Sequence, residues 1–177
     1  HLVFHWPNEL TAKDFEGWKN LMALSSIAHT QGFYYNPRID HDVLAKHRGG
    51  LIALSGCLKG ETSWYLRTGH AKKAYDTAAW YRDVFGEDYF VEIQRNGAEG
   101  QEENNADLVR MARDLRIPLV CSNDVHYVSQ GDAFAQEIRM AISTGKVLAD
   151  EDRLKHHLDA FWLKGAAEMA ELFRDFP

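Results

Sequence analysis

The chain has 177 residues, of which 45% are apolar and 26% charged, with only 4 prolines. That balance excludes a disordered or collagen-like chain and fits one globular domain with a sizeable core. The 20 basic and 26 acidic residues leave a formal charge of −6, which excludes nucleic-acid binding by bulk positive charge and leaves it to a local site.

Two cysteines, Cys57 and Cys121, are too few for a disulfide framework and suit a reducing compartment, so a cytoplasmic location is expected. No run of about 18 apolar residues occurs, and no membrane span is expected. The opening His1-Leu2-Val3-Phe4-His5-Trp6-Pro7 reads as a strand and not as a signal or transit peptide. It also lacks an initial Met, so the chain is expected to start inside a domain.

Next, Thr11-Ala12-Lys13-Asp14 resembles a capping box, and Phe15, Trp18, Leu21, Met22, Ser25 and Ala28 follow at helical spacing. This predicts a helix over 12–31 that stops at Gly32. Phe33-Tyr34-Tyr35-Asn36-Pro37-Arg38 reads as an extended connector, because the residue before a proline is pushed away from the helical region. Asp40 caps a short helix closed by Gly49-Gly50. Leu51-Ile52-Ala53-Leu54 is then a buried strand running into Ser55-Gly56-Cys57. Helices are predicted over 61–68 and 71–85, a strand over 89–94, and a helix over 102–116 with Leu108, Met111, Ala112 and Leu115 on one face. Ile117-Pro118-Leu119-Val120-Cys121 is a further apolar strand that breaks into Ser122-Asn123-Asp124. Helices over 131–144 and 166–173 flank an extended piece at Phe161-Trp162-Leu163. Trp18, Trp64, Trp80 and Trp162 are expected in the core or half-buried.

Short apolar strands alternating with helices imply parallel pairing through right-handed crossovers, hence an α/β fold with functional residues at the carboxyl ends of strands. Cys57, Glu92 and Asp124 lie at or near such ends. If extended backbone continues through Asp124 and His126, both side chains leave on the same side and can converge on one ion. A hydrogen-bonded turn is the competing reading of the same residues. Together with His1 and Cys57, this pair would offer imidazole, thiolate and carboxylate donors, a set that suits zinc or a similar divalent ion able to activate water. On spacing alone Cys57 reads first as an inert buried thiol, His1 as a chain end or an interrupted strand, and Glu92 as facing the strand's polar mouth or pairing with Arg95. His29, His41, His47 and His70 have no partner at metal-ligand spacing, and His156-His157 reads as solvated surface. There is no Gly-rich phosphate loop, Ser-His-Asp pattern or zinc-finger spacing.

The stretch from Gly50 to Glu61, centred on Ser55-Gly56-Cys57, and Ser122-Asn123-Asp124-Val125-His126-Tyr127 closely resemble two signatures of the PHP (polymerase and histidinol phosphatase) domain in the alpha subunit of bacterial DNA polymerase III. Residues 17–26 and 32–38 resemble the segment before them. Ser143 to Lys146, Asp152-Arg153, Phe161 to Lys164 and Glu168-Met169 resemble the segment that leaves the domain.

The resemblance implies a (β/α)7 barrel whose mouth gathers His, Asp, Glu and Cys ligands for up to three metal ions. The family's first strands carry a His-x-His motif, an Asp-His pair and a Glu, none of which is present here. The expected fold is therefore α/β, an incomplete (β/α)7 PHP-type barrel with parallel strands alternating with helices. Residues 1–145 would be the later part of the barrel, its first strands missing, and 146–177 the exit segment toward the polymerase region. By the same resemblance Asp124 and His126 match the family's last ligand pair, and Cys57 the ligand of its Ser-Gly-Cys turn. His1 matches the His that opens the strand before the Gly-x-x-Asn-Leu helix. The spacing there is longer in this chain, so His5 is a second claimant. Many relatives have His where Asn96 stands.

The implied function is part of a DNA-directed DNA polymerase, contributing to a 3′-5′ proofreading exonuclease site dependent on zinc, manganese or magnesium. DNA and the other subunits of the polymerase III holoenzyme are the implied partners, with no membrane. The isolated chain is expected to be inactive as an exonuclease. One alternative is a non-catalytic scaffold that supports the polymerase and binds a separate exonuclease subunit; another is a free-standing PHP phosphoesterase.

Overall fold

A computed structural model of the chain describes residues 9–153 and 159–176. The strand-like opening expected over residues 1–7, with His1 and His5, lies outside the described residues, as does the His156-His157 pair. The described residues fall in two compact units, one within His1–Ile93 and Glu103–Val120, the other within Gln94–Glu102 and Cys121–Pro177.

The first unit holds most of a four-stranded sheet in the order β1-β2-β3-β4. Strand β1 (Glu9–Ala12) pairs antiparallel with β2 (Leu51–Leu54), Glu9 opposite Leu54 and Ala12 opposite Leu51. Strand β2 runs parallel to β3 (Tyr89–Gln94), Ala53 opposite Tyr89, and the Val91 N–H donates to the Pro118 carbonyl at 2.9 Å beside the start of β4 (Leu119–Ser122). An α/β architecture is thus observed, with an antiparallel edge strand that periodicity missed. Glu9-Leu10-Thr11-Ala12 is no apolar run, and its residues alternate between exposed and half-exposed, as an edge strand allows.

Because Thr11 is used in the β1 ladder, the capping box expected there does not form. Asp14 caps α1 (Phe15–Thr30) instead, its carboxylate accepting the Gly17 N–H at 2.9 Å. Gly17 is needed at this join: a Cβ there would lie 1.8 Å from the Gly50 carbonyl oxygen. Asp40 caps α2 (His41–Lys46) by accepting the Val43 N–H at 2.8 Å, as expected. Helices α3 (Glu61–Arg67) and α4 (Ala71–Phe85) pack on each other, and α4 packs on β2. Most of α5 (Gln101–Leu115) belongs to this unit.

The core is built where both sheet faces are covered. Leu51, Ala53, Tyr81, Tyr89, Val91, Ile93, Leu108 and Met111 are all no more than 1% exposed, and β3 is buried at five of its six positions, as expected of a strand covered on both faces. Two tryptophans depart from expectation. Trp18 and Trp64 are 53% and 50% exposed. Helical spacing places a residue on a face without stating that the face is covered.

The second unit carries α6 (Ala133–Ser143) and α7 (Ala166–Leu172). Arg95 ties its pieces together. It pairs with Glu102 at 3.1 Å, with Asp175 at 2.8 Å and with the Leu172 carbonyl at 2.9 Å, and its guanidinium lies over the Phe173 and Phe176 rings. Among the described residues no helix is long and apolar enough to cross a membrane.

Candidate metal centre

Cys57 sits on the turn that leaves β2, and this turn is rigidly specified. The Ser55 N–H donates to the Phe90 carbonyl at 3.0 Å, while the Ser55 hydroxyl accepts the buried Glu92 N–H at 2.8 Å. Gly56 then adopts a φ of +76°, a left-handed conformation that glycine takes without a steric penalty. The Gly60 N–H closes the turn on the Cys57 carbonyl at 2.8 Å, and a Cβ on Gly60 would stand 2.2 Å from the Ser55 oxygen. Ser-Gly-Cys-x-x-Gly is therefore a backbone device that ends the strand, turns, and presents the half-buried Cys57 before α3.

Asp124 and His126 stand together in the second unit, but not by strand alternation. Strand β4 ends at Ser122, and Asp124 has a φ of +48°, so the extended backbone expected through this pair is broken. Aspartate is among the few non-glycine residues that tolerate the left-handed region. The distortion is held from outside the turn. Asn123 donates through Nδ2 to the Trp162 carbonyl at 2.6 Å and accepts from Lys164 Nζ at 2.9 Å. The His126 N–H donates to the Phe161 carbonyl at 2.9 Å, and Leu163 returns a bond to the Tyr127 carbonyl at 3.0 Å. Phe161-Trp162-Leu163 is thus the extended piece expected, and it forms a short parallel bridge with Tyr127. Burial beside this lattice pushes the Lys164 ammonium below its ordinary pKa.

The result is a carboxylate and an imidazole with Oδ2 and Nε2 3.7 Å apart, their side chains 32% and 33% exposed. Two donors bound to one tetrahedral zinc at about 2.1 Å stand roughly 3.4 Å apart, so closing on an ion needs a shift of a few tenths of an ångström. The pair fits two neighbouring positions in a divalent coordination shell. Among the described residues, no group of three or more His, Cys, Asp and Glu side chains is gathered in a way that could hold a metal ion.

Glu92, which the sequence offered as a partner of Arg95, is 1% exposed within β3, while Arg95 engages Glu102 and Asp175. Sequence reasoning missed a further cluster. His41, passed over for want of a partner at ligand spacing, lies 3.5 Å from Glu61 and stacks on Trp80 at 3.8 Å between ring centres. Burial pushes the neighbouring Tyr81 hydroxyl well above its ordinary pKa, with the Glu61 charge adding to it. The one sequence signal for this cluster is Asp40, whose cap fixes where α2 begins.

The sequence model for the PHP domain matches residues 5–96, more than half of the chain. The chain belongs to the PHP domain family. Cys57 lies inside this match, while His1, Asp124 and His126 lie outside it. Relatives extend the likeness across the chain. It is 46% identical to DNA polymerase III subunit alpha of Deinococcus radiodurans over 94% of the chain and 12% of that protein. Against the same subunit of Borreliella burgdorferi it is 43% identical over 100% of the chain and 15% of that protein. The Thermus aquaticus subunit is 39% identical over 90% of the chain and 13% of the relative. This PHP chain thus spans between 12% and 15% of the length of these curated relatives.

Proposed function

We propose that this PHP chain is part of a bacterial DNA polymerase III alpha subunit and contributes ligands to a divalent-metal site for 3′-5′ exonuclease proofreading. The observation that carries this reading is the Asp124–His126 pair, 3.7 Å apart on a left-handed turn held by the 160–164 segment. A left-handed non-glycine residue over-determined by its surroundings is typical of functional positions. Asp124, His126, Cys57 and His1 would hold the ions; the resemblance implies zinc, manganese or magnesium, and the imidazole, thiolate and carboxylate donors suit zinc or a similar divalent ion best. Such an ion supplies Lewis-acid charge to a scissile phosphodiester. The protein's own contribution is positional: Asn123 fixes the turn, the Phe161 carbonyl fixes the His126 backbone, and Ser55 with Gly56 and Gly60 fixes Cys57.

Under this reading the sheet is part of an incomplete (β/α)7 barrel, with residues 1–145 in the barrel and 146–177 leaving it. The partners are DNA and other holoenzyme subunits in the cytoplasm, and the isolated chain lacks exonuclease turnover. The absence of a third ligand near the pair among the described residues favours a second reading, a scaffold that binds a separate exonuclease subunit. Asp124→Asn in the full-length parent separates the two. Loss of 3′-5′ exonuclease activity with polymerisation intact supports the metal site. Unchanged exonuclease activity, or a parent that binds no divalent metal, refutes it.

A further inference from the structure

The first unit contains a cleft of about 520 Å³ between the end of α1 and α2, lined by Ile27, Gln31, Tyr34, Arg38, Asp40 and Val43 among others. Its volume is in the range of small-ligand sites, about 300–1,000 Å³. We propose that this cleft binds one nucleotide of a single-stranded nucleic acid, with none of the candidate metal ligands in its lining and independently of metal.

Three observations converge on that ligand. At its rim, Phe33, Tyr34 and Tyr35 are 59%, 63% and 79% exposed in sequence, three aromatic faces turned to solvent where apolar surface is normally withdrawn. Tyr35 is held at a φ of +59°, with Tyr34 bonded to the Asn36 carbonyl across it at 3.1 Å. An aromatic residue in the left-handed region is strained, and such strain persists where the surroundings enforce a position. Within the cleft, the Arg38 guanidinium stands 5.0 Å from the Tyr34 ring centre. Its Nε is buried and has no hydrogen-bond partner among the described residues. A buried unpaired donor on a cation calls for an acceptor, and an anionic one above all.

Apolar wall, stackable ring and unpaired cationic donor together match one repeating unit of a nucleic-acid strand: a base against aromatic rings and a phosphate on arginine. Asp40 uses Oδ1 to accept the Val43 N–H at 2.8 Å, and its other oxygen is an acceptor for a base amino group. One cation beside one carboxylate is a poor match for the several charges of a nucleoside triphosphate. It suits the single phosphate that each nucleotide of a strand carries.

The test is fluorescence anisotropy of a labelled short oligothymidylate with the full 177-residue chain in EDTA, so that the outcome is separable from that of the metal reading. Binding should persist without metal. Tyr34→Ala, at a side chain exposed enough to leave the fold intact, should weaken it about 5- to 150-fold, as loss of one stacked base does. Arg38→Gln should flatten the dependence of log affinity on log salt by about 0.7. Unchanged binding in both variants overturns the proposal. So does thymidine monophosphate competing as well as the oligonucleotide, or saturable binding of a proline-rich peptide in its place.

Discussion

Replacing Ser55 by Ala removes the acceptor of one buried backbone donor and little else. Ser55 is 0% exposed, and its Oγ receives the Glu92 N–H at 2.8 Å inside the sheet. Stranding a buried N–H costs about 1–3 kcal/mol. For a chain of this size each kcal/mol moves the melting temperature by about 2–4 °C, so the expected drop is roughly 2–12 °C. Urea unfolding should show the midpoint falling with the slope unchanged, because the surface exposed on unfolding is the same. The turn carrying Cys57 should loosen as well. In a Cys121→Ser background, Cys57 should then react faster with a thiol reagent. A stability loss under about 0.5 kcal/mol, with no change in Cys57 reactivity, would refute the claim that Ser55 specifies this turn.

Gly60→Ala attacks the same turn from the other side, since its Cβ would stand 2.2 Å from the Ser55 oxygen and 3.0 Å from that of Cys57. Overpacking against backbone should destabilise by about 1–3 kcal/mol, measurable by urea titration. In the second unit, the hydrogen bond from Arg95 lowers the Asp175 carboxyl from its ordinary 3.8 to about 2. A depressed carboxyl contributes stability that is present above its unfolded value and lost as pH falls through the folded one. Docking of the α7 end should therefore weaken between about pH 4 and pH 2, as read by amide exchange at Phe173 and Arg174. Asp175→Asn should remove that pH dependence while weakening the clamp at neutral pH.

Elements with strong local patterns were legible in the sequence. The apolar runs at Leu51 to Leu54 and Tyr89 to Gln94 are strands, the 3.6-residue periodicity at Leu108, Met111 and Ala112 is a helix, and Asp40 is a cap because its chemistry is local. Strand β1 was not legible, since an edge strand of half-exposed residues carries no apolar period. The closeness of Asp124 and His126 was expected for a reason that proved incomplete. The pairing came from strand alternation, but the turn is left-handed and depends on Asn123 reaching carbonyls 37 and 39 residues away. The proximity of His41 and Glu61, the first residues of α2 and α3, is likewise non-local. No local pattern in a sequence reports such distances.

A manganese titration of the 177-residue chain followed by amide NMR tests the metal centre most directly. The paramagnetic ion broadens signals of residues beside it, without any need for turnover. The expected result is selective broadening at Asp124, Val125 and His126, abolished by Asp124→Asn. Broadening that spares these three residues, or that persists unchanged in the Asp124→Asn chain, would contradict the assignment of this pair as metal ligands.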